Sequence, residues 1–340
     1  MKDTPSSLGY SMPAEWEKHD ATWISWPKDP STFPGGLLSR VEATYAEIVT
    51  VLSQGEEVRI LVDDGAAESR VRSILTQASD VTYHRIKTVD VWVRDYAPIY
   101  VKGKELAVTK WSFNAWGEKY EDLKRDDDSG RRIALSTGLK IFEPGMVLEG
   151  GSVDVDGEGT LITTKQCLLN PNRNPGLGRE GVERVLAEYL GVKRIVWLDS
   201  GIEGDDTDGH VDDMVRFVGP GKIVLAVESD PEDPNHAALE RNRLILESSR
   251  DASGRRFELT ALPMPNRLDS PDGRLPASHA NFYVGNSSVL VPTFGGQSDA
   301  EAVKTIDGLF PDREAVGVDC RALVHGLGTL HCVTQQIPAL

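Results

Sequence analysis

Residues 212–227, DDMVRFVGPGKIVLAV, are typical of a β-strand, a turn that contains glycine and a second β-strand. Three further stretches have the same form: YAPIYVKGKELAVTKW (96–111), GSVDVDGEGTLITT (151–164) and ANFYVGNSSVLVPT (280–293). The four turns lie near Gly103, Gly157, Gly219 and Gly285, at steps of 54, 62 and 66 residues. A hairpin that recurs at such steps indicates a repeated structural unit.

A helix and a further strand are predicted after each hairpin. Apolar residues recur at helical spacing in residues 182–190 and 303–310, with weaker patterns in 127–137 and 235–249. Short β-rich strands follow at LKIF (139–142), VKRIVWL (192–198), FELTAL (257–262) and AVGVDC (315–320). Each unit is therefore predicted to consist of a hairpin, a helix and a strand.

The first unit is irregular. Its helix is predicted at AAESRVRSILTQ (66–77) and its last strand at VTYHRI (81–86). The hairpin has to be assembled from ATWISWP (21–27) and EVRILVD (57–63), with the helical segment RVEATYAEIVTVL (40–52) inserted between them. With this unit, the chain contains five.

Five α/β units that each hide only one face predict a closed ring. The expected fold class is α/β, as a five-bladed pseudo-symmetric α/β propeller that forms a single domain over residues 1–340. The alternative is a doubly wound sheet, but parallel sheets use crossovers where this sequence has hairpins. The segments rich in Pro and Gly interrupt units and do not link domains.

Composition restricts the partners and the setting. The chain has 37 Lys and Arg against 53 Asp and Glu, a formal net charge of −16. Nucleic acid and anionic membranes are therefore poor partners, and a small cation fits better. The three cysteines cannot all pair, the N-terminus has no apolar signal region, and no run of about 18 apolar residues occurs. We expect a cytoplasmic protein with free thiols; a homo-oligomer is left open.

Polar residues recur in the loop that leads into each hairpin. These residues are Asp95, Glu149, His210 with Asp212, His279 with Asn281, and Cys332. In a closed ring the equivalent loops face the same end of the axis, so side chains up to 237 residues apart are expected to converge. Cysteine and histidine together with carboxylates are the groups that nucleophilic catalysis uses.

Each of these residues also has a plain structural interpretation. Asp95 follows Arg94 and could form an ion pair with it, whereas Glu149 could be a turn residue. Cys167 and Cys320 stand in apolar runs and are interpreted as buried structural thiols, but Cys332 has polar neighbours. A metal site is disfavoured because GDDTDGHVDD (204–213) contains a single His.

The motifs MPAEWEKHDATWISWP, DVWVRDYAPIYV, LEGGSVDVDGEGT, LLNPNRNP, DDTDGHVDDMVRF and HCVTQQIP span nearly the whole chain. In these motifs the sequence resembles the agmatine deiminase family, also called the bacterial-type peptidylarginine deiminase family. These are guanidine-modifying enzymes with the five-bladed α/β propeller, or pentein, fold. The resemblance implies a hydrolase that acts on C–N bonds of linear amidines and uses no cofactor.

The resemblance also implies roles for individual residues. Cys332 would be the nucleophile and His210 the general acid and base. Asp95 and Asp212 would hold the guanidinium group, with Glu149 as a further acidic partner and Trp92 as an aromatic residue at the substrate. The chain departs from the family pattern at Ala97, Asp154, Asp208 and Asp213, where Gly, His, Asn and Asn are usual, and GLGTLHC lacks the usual run of glycines.

The expected substrate is agmatine, which would give N-carbamoylputrescine and ammonia. Peptidylarginine or another guanidine stays an alternative, as do a non-catalytic guanidine or polyamine binder and a metallohydrolase that uses His210. A thiol among carboxylates resists ionisation. We therefore expect that the substrate or protonated His210 supplies the cation that Cys332 needs.

Overall fold

Six sheets form the fold of residues 3–340, the part of the chain that the computed structural model describes, and five of them have three or four strands. The strands, in chain order, are β1 (His19–Ser25), β2 (Glu57–Val62), β3 (Val81–Arg85), β4 (Ile99–Lys102), β5 (Leu106–Thr109), β6 (Lys140–Phe142), β7 (Asp154–Val155), β8 (Thr160–Thr164), β9 (Arg194–Leu198), β10 (Val215–Gly219), β11 (Lys222–Val227), β12 (Glu258–Pro263), β13 (Asp269–Ser270), β14 (Gly273–Arg274), β15 (Tyr283–Val284), β16 (Ser288–Thr293), β17 (Glu314–Asp319) and β18 (Gln335–Pro338).

The helices lie between these strands. They are α1 (Leu37–Leu52), α2 (Gly65–Ile74), α3 (Val93–Tyr96), α4 (Ala115–Glu118), α5 (Asp126–Ser136), α6 (Lys165–Leu168), α7 (Arg179–Leu190), α8 (Pro234–Ser248) and α9 (Ser298–Leu309). The segment labelled α4 is a left-handed turn, because its four residues have φ between 54° and 86°. Within residues 3–340 no helix is both long and apolar enough to cross a membrane.

Four of the sheets follow the predicted unit closely. They have the strand orders β4-β5-β6, β7-β8-β9, β10-β11-β12 and β15-β16-β17. In each sheet the first two strands are antiparallel and the third is parallel to the second. Helices α5, α7, α8 and α9 provide the crossovers that parallel pairing requires. The predicted order of hairpin, helix and strand and the α/β fold class are therefore confirmed.

The prediction for the first unit is wrong in its strand pairing. Strands β1 and β2 are parallel, with register Trp23↔Arg59, and do not form a hairpin. The antiparallel partner of β1 is β18, from the other end of the chain, with register Trp23↔Gln335. Helix α1 is therefore the regular crossover of this unit, and α2 with β3 is the addition. A local pattern cannot reveal a partner that lies more than 300 residues away.

Several strands are buried along their whole length. Every residue of β5, β8 and β10 is buried, which is typical of strands that are covered on both faces. The apolar core includes Trp23 and Tyr45, whose side chains are almost completely inaccessible. Because the strands are fixed on both faces, the short segments that precede them are held firmly as well.

A pair of glycines tests the packing of α5. A methyl group on Gly130 would overlap the carbonyl oxygen of Tyr96 in α3, whereas a methyl group on Gly308 in α9 meets nothing within 4 Å. We expect Gly130→Ala to lower the free energy of unfolding by about 1–3 kcal/mol, because backbone atoms must move. The control Gly308→Ala should raise it by about 0.5–1 kcal/mol through helix propensity alone. Urea unfolding of both variants measures this, and equal effects would contradict the packing described here.

Candidate active site

The candidate side chains all lie in the segment that precedes the first strand of a sheet; we call these segments lead-ins. Asp95 lies in α3 before β4, Glu149 precedes the 3₁₀ turn Gly150–Ser152 before β7, His210 and Asp212 belong to the turn before β10, Asn281 precedes β15, and Cys332 precedes β18. One lead-in therefore serves each of the five sheets. The period of the sequence predicted this placement.

Three of the candidate side chains meet at Gly151. Its backbone N–H donates to Asp95 Oδ1 at 3.0 Å. A Cβ atom at this position would lie 2.6 Å from His210 Nδ1, 2.9 Å from Asp212 Oδ2 and 3.1 Å from Asp95 Oδ1. Only glycine leaves room for this arrangement. The lead-ins of three different sheets therefore pack directly against one another at Gly151.

Asp95 is a carboxylate in an unfavourable setting. It is 5% exposed, and its Oδ2 accepts a hydrogen bond from Trp116 Nε1 at 3.0 Å. Burial raises the pKa of Asp95 to about 6, although the nearby charge of His210 opposes this shift. Trp116 stands in the left-handed turn α4, where a non-glycine residue is strained.

His210 is buried between two carboxylates. Its Nδ1 lies 3.9 Å from Asp95 Oδ1, and its Nε2 lies 3.8 Å from Glu149 Oε2 with no hydrogen-bond partner in the described part of the chain. Burial alone would lower the pKa of His210, but the charge of Asp95 and the proximity of Cys167 and Glu149 raise it well above its usual value. The two carboxylates therefore favour the protonated form of the imidazole.

Glu149 lies behind His210 and is fully buried. Its Oε1 accepts a hydrogen bond from Arg173 Nε at 2.8 Å, and Arg173 also donates to the backbone oxygen of Thr207 at 2.7 Å. The proximity of His210 and the charge of Arg173 lower the pKa of Glu149 in spite of its burial. Arg173 thus balances the negative charge of the Glu149 carboxylate.

Cys332 lies at the floor of a cavity and is 8% exposed. Its Sγ accepts a hydrogen bond from Asn281 Nδ2 at 3.2 Å and lies 3.8 Å from Asp212 Oδ2. Burial and the charges of Asp212, Asp213 and Asp95 raise the pKa of this thiol well above its usual value. In the empty site the thiol is therefore protonated.

The pKa values of the adjacent residues Asp212 and Asp213 are shifted in opposite directions. Asp212 Oδ2 faces His331 Nδ1 at 2.6 Å, and this hydrogen bond lowers the pKa of Asp212 against the effect of burial. Burial and the charge of Asp212 raise the pKa of Asp213 well above its usual value. Asp212 Oδ1 is buried and has no hydrogen-bond partner within residues 3–340, so one oxygen of the ionised carboxylate is free.

A cavity of about 600 Å³ opens above these groups. Trp92, Trp116 and Tyr120 line it together with Asp95 and Cys332, whereas His210, Asp212 and Glu149 lie behind this surface. A Cβ atom on Gly326 or Gly328 would approach the Trp92 ring to 2.7 or 2.6 Å. These two glycines of GLGTLHC therefore let the indole pack against the segment that carries Cys332.

Two groups of potential metal ligands exist within residues 3–340, and each has its ligand atoms within 4.8 Å of one another. The first is Glu149, Cys167 and His210, and the second is Asp212, Asp213 and Cys332. Arg173 already pairs with Glu149 in the first group, and the Asn281 amide already donates to both Asp213 and Cys332 in the second. Both groups thus have internal partners.

Comparison with known proteins identifies the family. The family model described as Porphyromonas-type peptidyl-arginine deiminase matches residues 11–338.

The chain belongs to the Porphyromonas-type peptidyl-arginine deiminase family.

Other proteins are similar to this member of the peptidyl-arginine deiminase family over nearly their whole length. The agmatine deiminase of Ectopseudomonas mendocina is 38% identical, over 99% of this chain and 97% of that protein. The structure of Enterococcus faecalis agmatine deiminase superimposes with a TM-score of 0.92 at 31% identity, over 99% of this chain and 98% of the other. A Cys-to-Ser variant of C. jejuni agmatine deiminase with substrate bound gives a TM-score of 0.86 at 29% identity and 96% coverage of both chains.

Sequence reasoning missed several side chains of this family member. Asn281 was noted without a role, and Trp116, Arg173 and His331 were given none. Arg173 and His331 stand inside the motifs LLNPNRNP and HCVTQQIP, and that position was the available signal. His279, in contrast, points away from the site and hydrogen-bonds to Pro263 O and Asp299.

The protonated thiol of this deiminase-family protein gives a prediction. We expect iodoacetamide to alkylate Cys332 slowly at pH 7 and about tenfold faster per pH unit to beyond pH 9, because only the thiolate reacts. Peptide mass spectrometry measures the rate. The Cys332→Ser variant reports the background from Cys167 and Cys320, which are both fully buried. A plateau below pH 8 would show that another cation has already ionised the thiol.

Proposed function

We propose that this protein is an agmatine deiminase that hydrolyses agmatine to N-carbamoylputrescine and ammonia through a covalent intermediate on Cys332. One observation carries the proposal. Asp212 Oδ2 lies 3.8 Å from the buried Cys332 Sγ, Asp212 Oδ1 has no hydrogen-bond partner within residues 3–340, and Asp95 and Cys332 line the same cavity. A planar guanidinium cation matches this arrangement, and full-length relatives that are named agmatine deiminase support it.

Asp95 and Asp212 would hold the guanidinium group. Carboxylates accept its parallel N–H donors in fixed geometry, which would place the central carbon over Cys332. The cation would also offset the negative charge that disfavours ionisation of Asp95. Trp92 and Trp116 line the same cavity and would cover the apolar part of the substrate.

The chemistry would then proceed in two halves. As the guanidinium group binds, the Cys332 thiol loses its proton to water, and the thiolate forms a bond to the guanidinium carbon. The C–N bond to one terminal nitrogen breaks as His210 donates a proton, so that ammonia leaves. The neutral His210 next takes a proton from water, whose oxygen attacks the same carbon. The C–S bond breaks, the thiolate is restored, the remaining proton on that oxygen passes to ammonia or water, and the neutral ureido product departs. These reaction steps need no cofactor.

The substrate itself would activate the thiol. Within the described residues His210 makes no hydrogen bond to Cys332, and its two ring nitrogens face Asp95 and Glu149 instead. A guanidinium ion beside the sulfur would lower the pKa that burial and three carboxyl groups have raised. His210 would act through its proton, as the acid that the leaving nitrogen requires, and Glu149 would hold the imidazole from behind.

The charge of the cavity favours a cationic tail. Asp29, Asp90, Asp122, Asp206 and Asp272 line it in addition to Asp95. Among the described residues that line the cavity Arg125 is the only arginine, and it pairs with Asp122 at 3.6 Å. The ammonium group of agmatine would meet these carboxylates favourably, whereas the carboxylate of free arginine would be repelled.

The finer features of the fold belong to the same proposal. We infer that the five sheets close into one five-bladed propeller and that residues 1–340 form a single catalytic domain. The pairing of β1 with β18, which joins the two ends of the chain, supports this closure. We further propose a cytoplasmic setting, which the three free cysteines support.

Substrate comparison tests the function. We expect ammonia release from agmatine to exceed that from arginine or a blocked arginine peptide by at least tenfold in kcat/KM, because only agmatine brings a second cation to the acidic cavity without an accompanying carboxylate. Full activity in EDTA is expected, and its loss would favour a metallohydrolase. Wild-type protein quenched with acid during turnover of agmatine should carry an adduct of agmatine minus ammonia on Cys332. A preference for the peptide would assign a peptidylarginine deiminase, and binding without turnover would assign a guanidine binder.

Gly151 tests the geometry of the site. We expect Gly151→Ala to lower kcat/KM for agmatine by about 100-fold or more, because a methyl group there displaces His210, Asp212 and Asp95 from one another. The control Gly176→Ala places its methyl group in open space and should keep full activity. Circular dichroism confirms folding of both variants. Wild-type activity in folded Gly151→Ala would contradict the proposed assignment of these three residues.

A further inference from the structure

Glu15 is buried at a junction of lead-ins, although it lies far from Cys332 in sequence. Its Oε1 accepts hydrogen bonds from Val284 N and pairs with Arg216 Nη2, both at 2.9 Å. Its Oε2 faces His331 Nε2 at 2.8 Å and Arg94 Nη2 at 3.4 Å. Four donors therefore fix one carboxylate that is only 7% exposed.

His331 connects this carboxylate with the candidate active site. Its Nε2 faces Glu15, and its Nδ1 faces Asp212 Oδ2 at 2.6 Å. An ionised carboxylate can only accept hydrogen bonds, so an imidazole between two of them donates from both nitrogens. The ring then carries a positive charge, and its hydrogen bond to Asp212 is charge-assisted and stronger than a neutral one.

The contact leaves Asp212 poised for a ligand. Oδ2 is used by His331, while Oδ1 is buried and has no partner in residues 3–340. The peptide bond between His331 and Cys332 means that the same imidazole also fixes the turn that carries the thiol. The backbone oxygens of both residues accept from Arg94, at 3.2 Å each.

We propose that Glu15 and His331 are positioning residues for the reaction: Glu15 holds a doubly donating His331, which keeps Asp212 ionised and turns its free oxygen toward the guanidinium group. This inference rests on the proposed deiminase function. It assigns a task to the first and last motifs of the chain, MPAEWEKHD and HCVTQQIP, which are joined across 316 residues.

Other charges around the pair determine its response to pH. Asp212 is surrounded by His331 and Cys332 from the lead-in of β18, by His210 and Asp213 from its own lead-in, by Arg216 from β10 and by Asp95 from α3. Glu15 is surrounded by Arg216, His331 and Arg94, and Arg216 also pairs with Asp154 at 2.5 Å. Burial raises the pKa of Asp154 to about 6.

The direction of the effect follows from the two carboxylates. Arg216, His331 and Arg94 hold the pKa of Glu15 well below its usual range against the effect of burial. The hydrogen bond and charge of His331 lower the pKa of Asp212. A carboxyl group with a depressed pKa stays ionised as pH falls. If its cationic donor is lost, it protonates at a higher pH and releases the guanidinium group earlier.

Two substitutions test the inference. Glu15→Gln keeps the shape of the side chain but removes its charge, and His331→Gln keeps one N–H donor without an imidazolium. For each variant we expect the ratio of its kcat/KM to that of the wild type, with agmatine as substrate, to be about tenfold lower at pH 6 than at pH 8. The buried Asp212 carboxyl group, without its cationic donor, would protonate within this range, and below its pKa the ionised fraction falls tenfold per pH unit. Dividing by the wild-type value removes the pH dependence that Asp95 contributes, because both proteins contain this residue.

The control is Glu17→Gln. Glu17 lies two residues from Glu15, is partly exposed and pairs with Lys102 at 3.4 Å, so its ratio should stay constant with pH. The double variant Glu15→Gln/His331→Gln should lose no more than the single variants, because both act through Asp212. Urea unfolding at each pH separates a loss of stability from a shift of the profile.

The outcomes distinguish this inference from the function itself. The function stands if the wild type turns over agmatine. In that case the positioning role would be overturned by variant ratios that do not change between pH 6 and pH 8, or by additive losses in the double variant. Calorimetry with agmatine and the Cys332→Ser variant provides a second readout, in which Glu15→Gln should weaken binding about tenfold more at pH 6 than at pH 8. Absence of both turnover and binding would overturn the proposed function and the positioning role together.

Discussion

Buried negative charge is the constraint on which this structure depends. Asp95, Glu149, Asp212 and Asp213 are buried close together around one imidazole and one thiol. Carboxylates without partners are costly to bury, so each must gain a cation or keep its proton. The structure uses both solutions: Glu149 has Arg173 and Asp212 has His331, whereas the pKa values of Asp95 and Asp213 are raised. A cationic ligand would bind most favourably beside the carboxyl groups that have no cation of their own.

The cations come from outside the cavity and from different sheets. Arg173 follows α6, His331 precedes β18 and Arg216 lies in β10, so no single segment can move without disturbing the charge balance of another. Replacing one partner of such a buried pair leaves the other uncompensated, which is more costly than the pair itself is stabilising. The same contacts therefore stabilise the junction of the lead-ins and keep the carboxylates at fixed distances.

Sequence reasoning could find what is local or periodic. Four of the five units were predicted because each hairpin, helix and strand lies within one stretch of chain. The first unit was not, because β18 pairs with β1 from the far end of the chain. The lead-in residues Asp95, His210, Asp212 and Cys332 could be proposed together because the repeat makes their positions equivalent. The pair of Glu15 and His331 leaves no such trace, since only three-dimensional contact relates them.

The protonation states also suggest an order of events. The carboxylates around His210 favour its protonated form, and the same negative charge opposes a thiolate at Cys332. A guanidinium ion between Asp95 and Asp212 would reverse that balance and lower the pKa of the thiol beside it. The electrophile would thus generate its own nucleophile, and a thiolate would exist only when there is a carbon for it to attack. The charge that makes the empty site unfavourable is, in this view, what makes the occupied site reactive.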